Sequence, residues 1–298
     1  MALRMGTSEY GGTFYTQGSA ICELFNRGKA EDQKCTVQTT EASIHNAEQL
    51  DRAELEFGFM ASNWIGRAKD AVLPFTRKIE LRMVAPANAG PMFFVKSADS
   101  PIQTIADFRG KRIAIGTKGS GMEQHVRTIF AVLGISFDSF TPLNMGFAEG
   151  AEALIAGNIH AQFQPPIPNR VMTDLSRRAD VRVVPYGPGQ LPRILGEVPF
   201  YCGIIMEKDV FRGVVEDIAQ LAVVNVVVTH ERVSESVVYD MTKVILENLD
   251  TLPSINPLFK GLKNLFDPMR IQGAAALEFG GVPLHPGATR AYREAGLL

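Results

Sequence analysis

The loop Thr117–Gly121, with the sequence TKGSG, carries the residue types that most clearly predict a chemistry. It follows a predicted strand over Lys111–Gly116 and opens a predicted helix that runs to about Leu133. A glycine- and serine-rich turn at a helix start leaves backbone N–H groups without intrahelical acceptors, and the helix dipole adds positive potential there. We therefore predict a site for the anionic group of a small acidic ligand. It consists of Gly119, Ser120, Gly121 and Met122.

Three further strand-to-helix turns lie nearer the N-terminus. Predicted strands cover Leu3–Ser8, Cys35–Thr40 and Phe57–Ala61, and a helix start follows each of them. In open α/β sheets such turns meet at one edge, where ligands bind. The candidate ligand-binding residues in these turns are Gly11, Gly12, Thr13, Tyr15, Ser43, Asn46, Ser62, Asn63 and Trp64.

Several of these candidates have a structural alternative. Ser43 and Ser120 each suit the N-cap of the helix that follows, a role that requires no ligand. Asn46 lies one turn after Ser43 and either faces the ligand or bonds a neighbouring loop. Trp64, the only tryptophan, either packs in the core or forms a wall of the site.

A fifth turn follows a predicted strand over Ile159–Gln164. Gln164 and Asn169 flank a proline-rich segment there and are predicted to form a polar wall of the site. The prolines suit a rigid loop equally well.

Catalytic and metal-binding residues are not predicted. No turn carries a paired His and carboxylate or a paired Cys and His, and no G-x-S-x-G is present. Where a nucleotide-binding P-loop needs lysine, after Gly6-x-x-x-x-Gly11, the chain has Gly12. The five histidines and three cysteines do not have the spacing of metal ligands, so neither a metal nor another cofactor is expected. Isolated buried thiols are favoured for Cys22 and Cys35 over a disulfide between them.

Composition excludes some classes of protein. The 298 residues carry a net charge of −2, which provides no basic surface for nucleic acid. The most apolar run, Ile218–Val228, is too short to cross a bilayer and is rich in valine, so it predicts a buried strand. No signal peptide is visible, which predicts either a cytoplasmic protein or a mature form without its signal peptide.

The order of predicted elements indicates an α/β fold with two lobes. Strands and helices alternate to about residue 80. Two extended segments, Ile79–Ala89 and Pro91–Lys96, come next, and alternation resumes at Lys111. Gly187–Pro199 is predicted to be an irregular connection, and after Thr229 only helices are predicted, including about Ile255–Phe266 and Pro268–Phe279. We predict one lobe from residues 1–85 and 216–298, a second from 86–215, a helical C-terminal tail, and a ligand cleft between the lobes.

Four motifs in order resemble the TAXI family of TRAP-transporter solute-binding proteins. Gly6-Thr7 with Gly11–Tyr15 is similar to the opening glycine motif of that family, and Thr40–Asn46 stands where the family has T-G-G-S-x-x-N. Asp107–Gly121 resembles D-L-x-G-K-x-x-x-x-G-x-x-G-S-G, and Val282–Ala288 is close to the P-L-H-P-G-A ending.

The resemblance implies a fold and a function. It implies a two-lobed periplasmic-binding-protein fold (type II-like) in a monomeric periplasmic receptor. Such a receptor binds a small organic acid, such as glutamate or an oxoacid, and delivers it to the membrane subunits of a TRAP transporter. The alternative is an enzyme, or a cytoplasmic effector-binding module, of the same two-lobed architecture.

The chain departs from the family motifs at the site itself. Glu41 and Ala42 replace the two glycines before Ser43, Asn63 stands where the family commonly has Asp, and Gly66 replaces a Tyr. Gly66 near Trp64 predicts room for an apolar or planar part of the ligand.

Overall fold

The computed structural model describes residues 3–164 and 166–298, and Pro165 in the proline-rich segment lies outside them. The chain forms two compact units. Unit 1 consists of residues up to 89 together with 224–298, and unit 2 consists of residues 90–223.

Unit 1 begins with alternating strands and helices. These elements are β1 (Leu3–Gly6), α1 (Thr13–Phe25), β2 (Cys35–Gln38), α2 (Ser43–Asp51), β3 (Phe57–Ala61), α3 (Ile65–Asp70) and the first part of β4 (Leu81–Ser97). Strand β1 lies between β2 and β3 and runs parallel to both. Because the three strands are parallel, the turns that follow them lie at the same edge of the sheet.

Unit 2 continues from the second part of β4. Its further elements are β5 (Arg112–Ala114), α4 (Gly121–Leu133), β6 (Thr141–Leu143), α5 (Phe147–Ile155), β7 (Ala161–Gln164), α6 (Arg170–Arg178), β8 (Val181–Val184), α7 (Gln190–Glu197), β9 (Tyr201–Met206) and the first part of β10 (Ile218–His230). Strand β5 is parallel to β7, and β7 and β8 are both antiparallel to β4. The carboxyl ends of β5, β7 and β8 therefore point toward the same edge.

The chain then returns to unit 1, where β10 pairs with β3 in antiparallel register, with Val227 opposite Phe59. The C-terminal helices are α8 (Glu235–Glu247), α9 (Leu252–Ile255), α10 (Met269–Gln272) and α11 (Pro286–Glu294). The Nδ1 atom of His285 accepts a hydrogen bond from the Gly287 N–H at 3.1 Å and caps α11. Tyr292 on α11 is buried, and its hydroxyl donates to the carbonyl of Val84 in β4.

Each unit has its own apolar core. In unit 2, Phe94 of β4 packs against Phe108, Phe130 and Phe163 with ring centroids 4.9, 5.8 and 4.7 Å away. In unit 1, Phe14 of α1 stacks on Phe59 of β3 at 5.3 Å. Buried aromatic contacts of this kind fix how each helix lies on its sheet.

The predicted α/β class and the buried strand in β10 are confirmed, but several predicted elements are wrong. The two extended segments before residue 97 form the single strand β4, because Asn88 is not a turn residue there: its Oδ1 accepts a hydrogen bond from Asn225 of β10 at 3.2 Å. The segment 187–199 contains the helix α7, which starts where Gln190 Oε1 accepts the Gly187 N–H at 2.7 Å. Pro192 is tolerated because it lies in the first turn.

The predicted tail helices are also shorter than expected. The chain between α8 and α11 breaks into short α- and 3₁₀-helical turns, and the glycines between them, Gly261 (φ 82°) and Gly273 (φ 62°), have left-handed backbone. Among the residues that the structure describes, no helix has the length and hydropathy needed to span a membrane.

Candidate functional site

The turns of unit 1 are joined by side-chain hydrogen bonds at the carboxyl edge of the sheet. The hydroxyl oxygen of Thr40, after β2, lies 3.0 Å from the carbonyl oxygen of Thr7, after β1. Asn46 in α2 donates through Nδ2 to Thr7 at 2.8 Å and to the carbonyl of Phe59 in β3 at 2.9 Å. The carboxyl ends of all three parallel strands are thus tied to one buried amide.

All the polar groups of the Asn46 side chain therefore make hydrogen bonds within unit 1. It is 0% exposed, and its Oδ1 accepts a hydrogen bond from the Thr40 hydroxyl at 2.7 Å. Both amide hydrogens have acceptors, so the structure corrects the prediction that Asn46 is a ligand donor and shows the loop-bonding alternative instead.

Ser43 also has a different role from the N-cap that its position suggested. The N-cap of α2 is Ala42, whose φ is 65°, and no side chain of the described residues caps this helix. Ser43 is buried, and its Oγ accepts the Ala61 N–H at 3.1 Å, which joins α2 to the end of β3. Its hydroxyl hydrogen keeps Ser43 a candidate donor to a ligand.

The first turn remains the most open of the predicted positions in unit 1. Gly11 and Thr13 are exposed, Gly12 is half-buried, and Tyr15 is half-buried with its ring 4.9 Å from the ring of Tyr10. Tyr10 is 81% exposed. The turn thus presents aromatic surface next to a helix start.

The turn after β3 forms a short 3₁₀-helix over Ser62–Trp64. Ser62 and Trp64 are buried, and the Trp64 ring meets Phe75 edge-on at 6.5 Å. The predicted room beside Gly66 is absent, because a Cβ at this position would be 3.1 Å from the Cα of Gly280. The lack of a side chain at Gly66 allows the backbone at Gly280 to pack against it. The prediction of room for an apolar part of a ligand beside Gly66 is therefore wrong.

In unit 2 the predicted anion loop already holds a carboxylate. The Gly119 N–H donates to Glu123 Oε2 at 2.7 Å, and the Ser120 N–H donates to the carbonyl of Thr117 at 3.0 Å. Ser120 is the N-cap of α4, and its Oγ accepts the Glu123 N–H at 3.2 Å. Gly121 and Met122 are the first two residues of α4, so their N–H groups have no intrahelical acceptor and stay available to an anion.

The charge of Glu123 is balanced locally. Arg127, one turn along α4, places Nη2 2.6 Å from Glu123 Oε1. Burial alone favours the neutral acid, but the Gly119 N–H and the Arg127 guanidinium outweigh it and hold the pKa of Glu123 below its ordinary value. Glu123 is therefore an ionised carboxylate beside the predicted site.

Two further predicted residues lie at the carboxyl end of β7. Asn169 is the N-cap of α6, since its Oδ1 accepts the Met172 N–H at 2.8 Å, and its Nδ2 donates to the carbonyl of Pro166 at 3.2 Å. Gln164 is 0% exposed and donates through Nε2 to Gln162 Oε1 at 2.9 Å. Asn169 thus has a capping role, whereas the Oε1 of Gln164 has no hydrogen-bond partner among the described residues.

Several buried polar atoms, the Gln164 oxygen among them, lack partners within the described ranges. They belong to Gln17 (Nε2 and Oε1), Asn63 (Oδ1), Gln164 (Oε1), Tyr186 (hydroxyl) and Gln220 (Nε2 and Oε1). Leaving a buried polar group unpaired costs about 1–3 kcal/mol, so such groups call for a bound partner. Sequence reasoning missed Gln17, Tyr186 and Gln220. The available signal was a glutamine within an apolar stretch, in α1 for Gln17 and in the run Ile218–Val228 for Gln220.

Three of these groups occupy places that fit a site. Gln17 lies one turn into α1, after the turn that contains Thr13. Gln164 ends β7 and pairs with Phe93, while Val184 at the end of β8 pairs with the neighbouring Phe94, so Tyr186 follows at the same edge as Gln164. All of the unpartnered groups are neutral amides or phenols, which suits recognition by directed hydrogen bonds.

Other titratable pairs lie away from this edge or have structural partners. His230 Nε2 is 3.8 Å from Asp51 Oδ1 at the opposite edge of the unit 1 sheet, where Thr229 pairs with Phe57 at the start of β3. A cavity of about 560 Å³, lined by Leu3, Lys29, Glu56, Arg232 and Asp240 among others, also adjoins the strand starts. In residues 3–164 and 166–298, no group of three His, Cys, Asp or Glu side chains could hold a metal ion.

Comparison with known proteins identifies the family of this chain and finds solved structures of the same fold. The sequence matches the NMT1-like family over residues 5–296. The chain belongs to the NMT1-like family.

Solved structures show the same fold at low sequence identity. A TctC solute-binding protein from Polaromonas is 14% identical, with 88% of each chain covered and a TM-score of 0.56. A putative periplasmic sulfonate-binding protein of an ABC transporter from Methylobacillus flagellatus is 14% identical, covering 100% of this chain and 95% of the other, with a TM-score of 0.55. The probable amino-acid ABC transporter extracellular-binding protein ytmK from Bacillus subtilis is 14% identical, covering 90% and 99%, with a TM-score of 0.52. The predicted periplasmic-binding-protein fold is confirmed.

Proposed function

We propose that this NMT1-like protein is an extracytoplasmic solute-binding protein of the TAXI type. It binds a small organic acid and delivers it to the membrane subunits of a TRAP transporter. The family match along nearly the whole chain supports the receptor role, and the four sequence motifs support the TAXI assignment. The proteins of similar fold carry names of solute-binding proteins, which favours a receptor over an enzyme.

The observation that carries the proposal is that each unit has buried polar groups without a hydrogen-bond partner among the described residues. Unit 1 offers the Gln17 amide and the Asn63 oxygen, and unit 2 offers the Gln164 oxygen and the Tyr186 hydroxyl. The N–H groups of Gly121 and Met122 add donors with positive helix-dipole potential. A bound solute with a carboxylate and a second polar group supplies partners for groups of this kind, and its release leaves them unpaired.

The electrostatics of unit 2 limit the kind of acid. Glu123 is ionised next to Gly121, so a carboxylate on these N–H groups also depends on Arg127 to balance the local charge. A ligand with one carboxylate is therefore favoured over a polyanion at this loop. Further polar groups of the ligand have to match neutral amides, which both donate and accept.

A thermal-shift screen with matched ligand pairs tests the proposal. Each acid is compared with its neutral amide, for monocarboxylates, amino acids, oxoacids and sulfonates. We expect at least one monocarboxylate to raise Tm by mass action and its amide to have little effect. Stabilisation by neutral sugars or by cations, with none by any organic acid, would overturn the proposal.

Variants then test the candidate groups of each unit separately. Gln17→Leu in unit 1 and Gln164→Leu in unit 2 each remove unpartnered polar atoms without loss of a salt bridge, and Gly121→Val crowds the start of α4. We expect each to weaken binding of the acid found in the screen about tenfold or more, in line with the loss of a buried hydrogen bond. Asn158→Ala, at an exposed position, is the matched control and should bind normally.

A further inference from the structure

Two cysteines of unit 1 lie closer together than their spacing in the sequence suggested. Cys22 in α1 and Cys35 at the start of β2 are 13 positions apart, and their Sγ atoms are 3.2 Å apart. Both are free thiols and both are buried, at 4% and 1% exposure. Cys202, the third cysteine, is half-buried in β9 of unit 2.

Asn26 holds the backbone of both cysteines. Its own N–H donates to the carbonyl of Cys22 at 2.9 Å, the usual helical bond at the end of α1. Its side chain bonds Cys35 twice: Nδ2 donates to the Cys35 carbonyl at 2.9 Å, and Oδ1 accepts the Cys35 N–H at 2.7 Å. Asn26 thus fixes the position of the start of β2 relative to the end of α1.

We propose that Cys22 and Cys35 are a disulfide-forming pair that covalently links α1 to the edge strand β2. The thiols need to approach by little more than 1 Å to reach the S–S bond length of about 2.05 Å, which is within the range of side-chain adjustment. The oxidant is an external disulfide. A thiolate of the pair attacks it to give a mixed disulfide and one released thiol. The second cysteine then attacks the mixed disulfide, which forms the Cys22–Cys35 bond and releases the second thiol, so two electrons and two protons pass to the external disulfide.

The burial of the pair determines when it can react. In the folded unit both sulfurs are buried, and the hydrogen-bond contact with the Cys22 thiol together with burial raises the pKa of the Cys35 thiol, so little thiolate is present. The bond therefore forms while unit 1 is folding, in an oxidising compartment, and is protected afterwards. The proposal does not depend on which solute the protein binds.

Refolding of the full chain in oxidised and reduced glutathione, against reduced glutathione alone, tests the pair. We expect the oxidised sample to retain one titratable thiol after denaturation and the reduced sample three. Non-reducing tryptic digestion should yield peptide 5–27 joined to peptide 35–52, because Arg27 and Lys34 separate the two cysteines. Cys202 should be found alone in peptide 194–208.

The stability readout uses three matched variants. Cys202→Ser should still oxidise to the linked form, whereas Cys22→Ser and Cys35→Ser should not. Oxidation should raise Tm of the wild type and of Cys202→Ser by roughly 5–10 °C, as expected for closing a loop of this length in a unit of this size. Peptide mapping of the wild type decides the result even where a serine variant folds poorly. Three free thiols after oxidative refolding, or a linkage that includes Cys202, would overturn the proposal.

Discussion

The two units close their strand-to-helix turns with different chemistry. In unit 1 the neutral side chains of Thr40, Ser43 and Asn46 join three strand ends through buried hydrogen bonds. In unit 2 the loop before α4 is closed by the ionised carboxylate of Glu123, which accepts from Gly119 and pairs with Arg127. Charge-assisted hydrogen bonds are individually stronger, but they are lost on protonation, whereas a neutral network is insensitive to pH and salt.

This difference affects how each unit can meet a ligand. In unit 1 the amide of Asn46 makes all of its hydrogen bonds within the neutral network. The side-chain amide of Gln17, one turn into α1, has no hydrogen-bond partner among the described residues. The loop of unit 2 uses its own carboxylate where a ligand carboxylate was predicted, and leaves only the first two N–H groups of α4. A glycine-rich helix start is thus not by itself a free anion site, because a glutamate three residues after the N-cap can fill it.

Removal of the neutral network should have the largest effect on stability. Asn46→Ala leaves the carbonyls of Thr7 and Phe59 and the hydroxyl of Thr40 without their amide partner in a fully buried place. We expect the free energy of unfolding to fall by about 2–4 kcal/mol. Urea denaturation measures this, with the exposed Asn158→Ala expected within about 0.5 kcal/mol of wild type. A loss below about 1 kcal/mol for Asn46→Ala would mean that the network contributes little.

Removal of the charge in unit 2 should have a smaller effect. Glu123→Gln keeps the shape and an acceptor for the Gly119 N–H but loses the charge and the ion pair with Arg127. We expect a loss of about 1–2 kcal/mol at pH 7. Glu149→Gln is the matched control, because Glu149 is also the third residue of its helix but is exposed, and it should cost only a few tenths of a kcal/mol. Equal effects of the two substitutions would show that the helix dipole alone, rather than the closed loop, accounts for the contribution of Glu123.

The pH dependence separates the two chemistries. The pKa of Glu123 is lower in the folded protein than its ordinary value of about 4.3, so its contribution is present above about pH 4.3 and is lost as the pH falls through the folded pKa. The difference in unfolding free energy between wild type and Glu123→Gln should therefore shrink in acid, while the Asn46→Ala difference should stay constant. A Glu123→Gln difference that does not shrink at any acid pH at which the protein stays folded would contradict the role of the ionised carboxylate.

Local patterns in the sequence predicted much of this structure. Strand-to-helix alternation located β1 to β3 and α4, because those segments have simple periodicity and clear turns. The sequence did not reveal where polar side chains at the turns find partners, since Asn46 meets Thr7 and Phe59 only after three strands align. It also could not show that Gly66 lies against Gly280, more than 200 positions away, or that Glu123 folds back on Gly119. Side-chain contacts that form only in the folded chain, some local and some between distant segments, decide which candidate residues stay free.

The backbone conformation of Ala42 is strained, and a comparison with the family motif indicates why. The residue has φ 65° and ψ −146°, a conformation that glycine adopts easily and alanine does not, and the TAXI motif resembled by Thr40–Asn46 has glycine there. Ala42→Gly should therefore stabilise unit 1 by about 1 kcal/mol, whereas most Ala→Gly changes destabilise. Ala131→Gly, at an exposed position within α4, is the control and should lose about 1 kcal/mol. Denaturant midpoints of the two variants on either side of wild type would support the assignment, and a loss for Ala42→Gly would contradict it.

No loss of stability is expected for removal of a hydroxyl of unit 2 that has no partner among the described residues. Tyr186→Phe removes this buried oxygen, so the unfolding free energy should stay equal to that of wild type or rise, by at most the roughly 1–3 kcal/mol that an unpaired buried group costs. Tyr201→Phe is the matched control, because the Tyr201 hydroxyl lies 2.7 Å from His125 Nδ1, and it should cost about 1 kcal/mol. With the acid found in the screen, calorimetry should show the reverse order, a loss of affinity of about 3- to 10-fold for Tyr186→Phe and none for Tyr201→Phe. If Tyr186→Phe instead destabilises the free protein as much as Tyr201→Phe and leaves the affinity unchanged, the Tyr186 hydroxyl belongs to the fold and not to the ligand site.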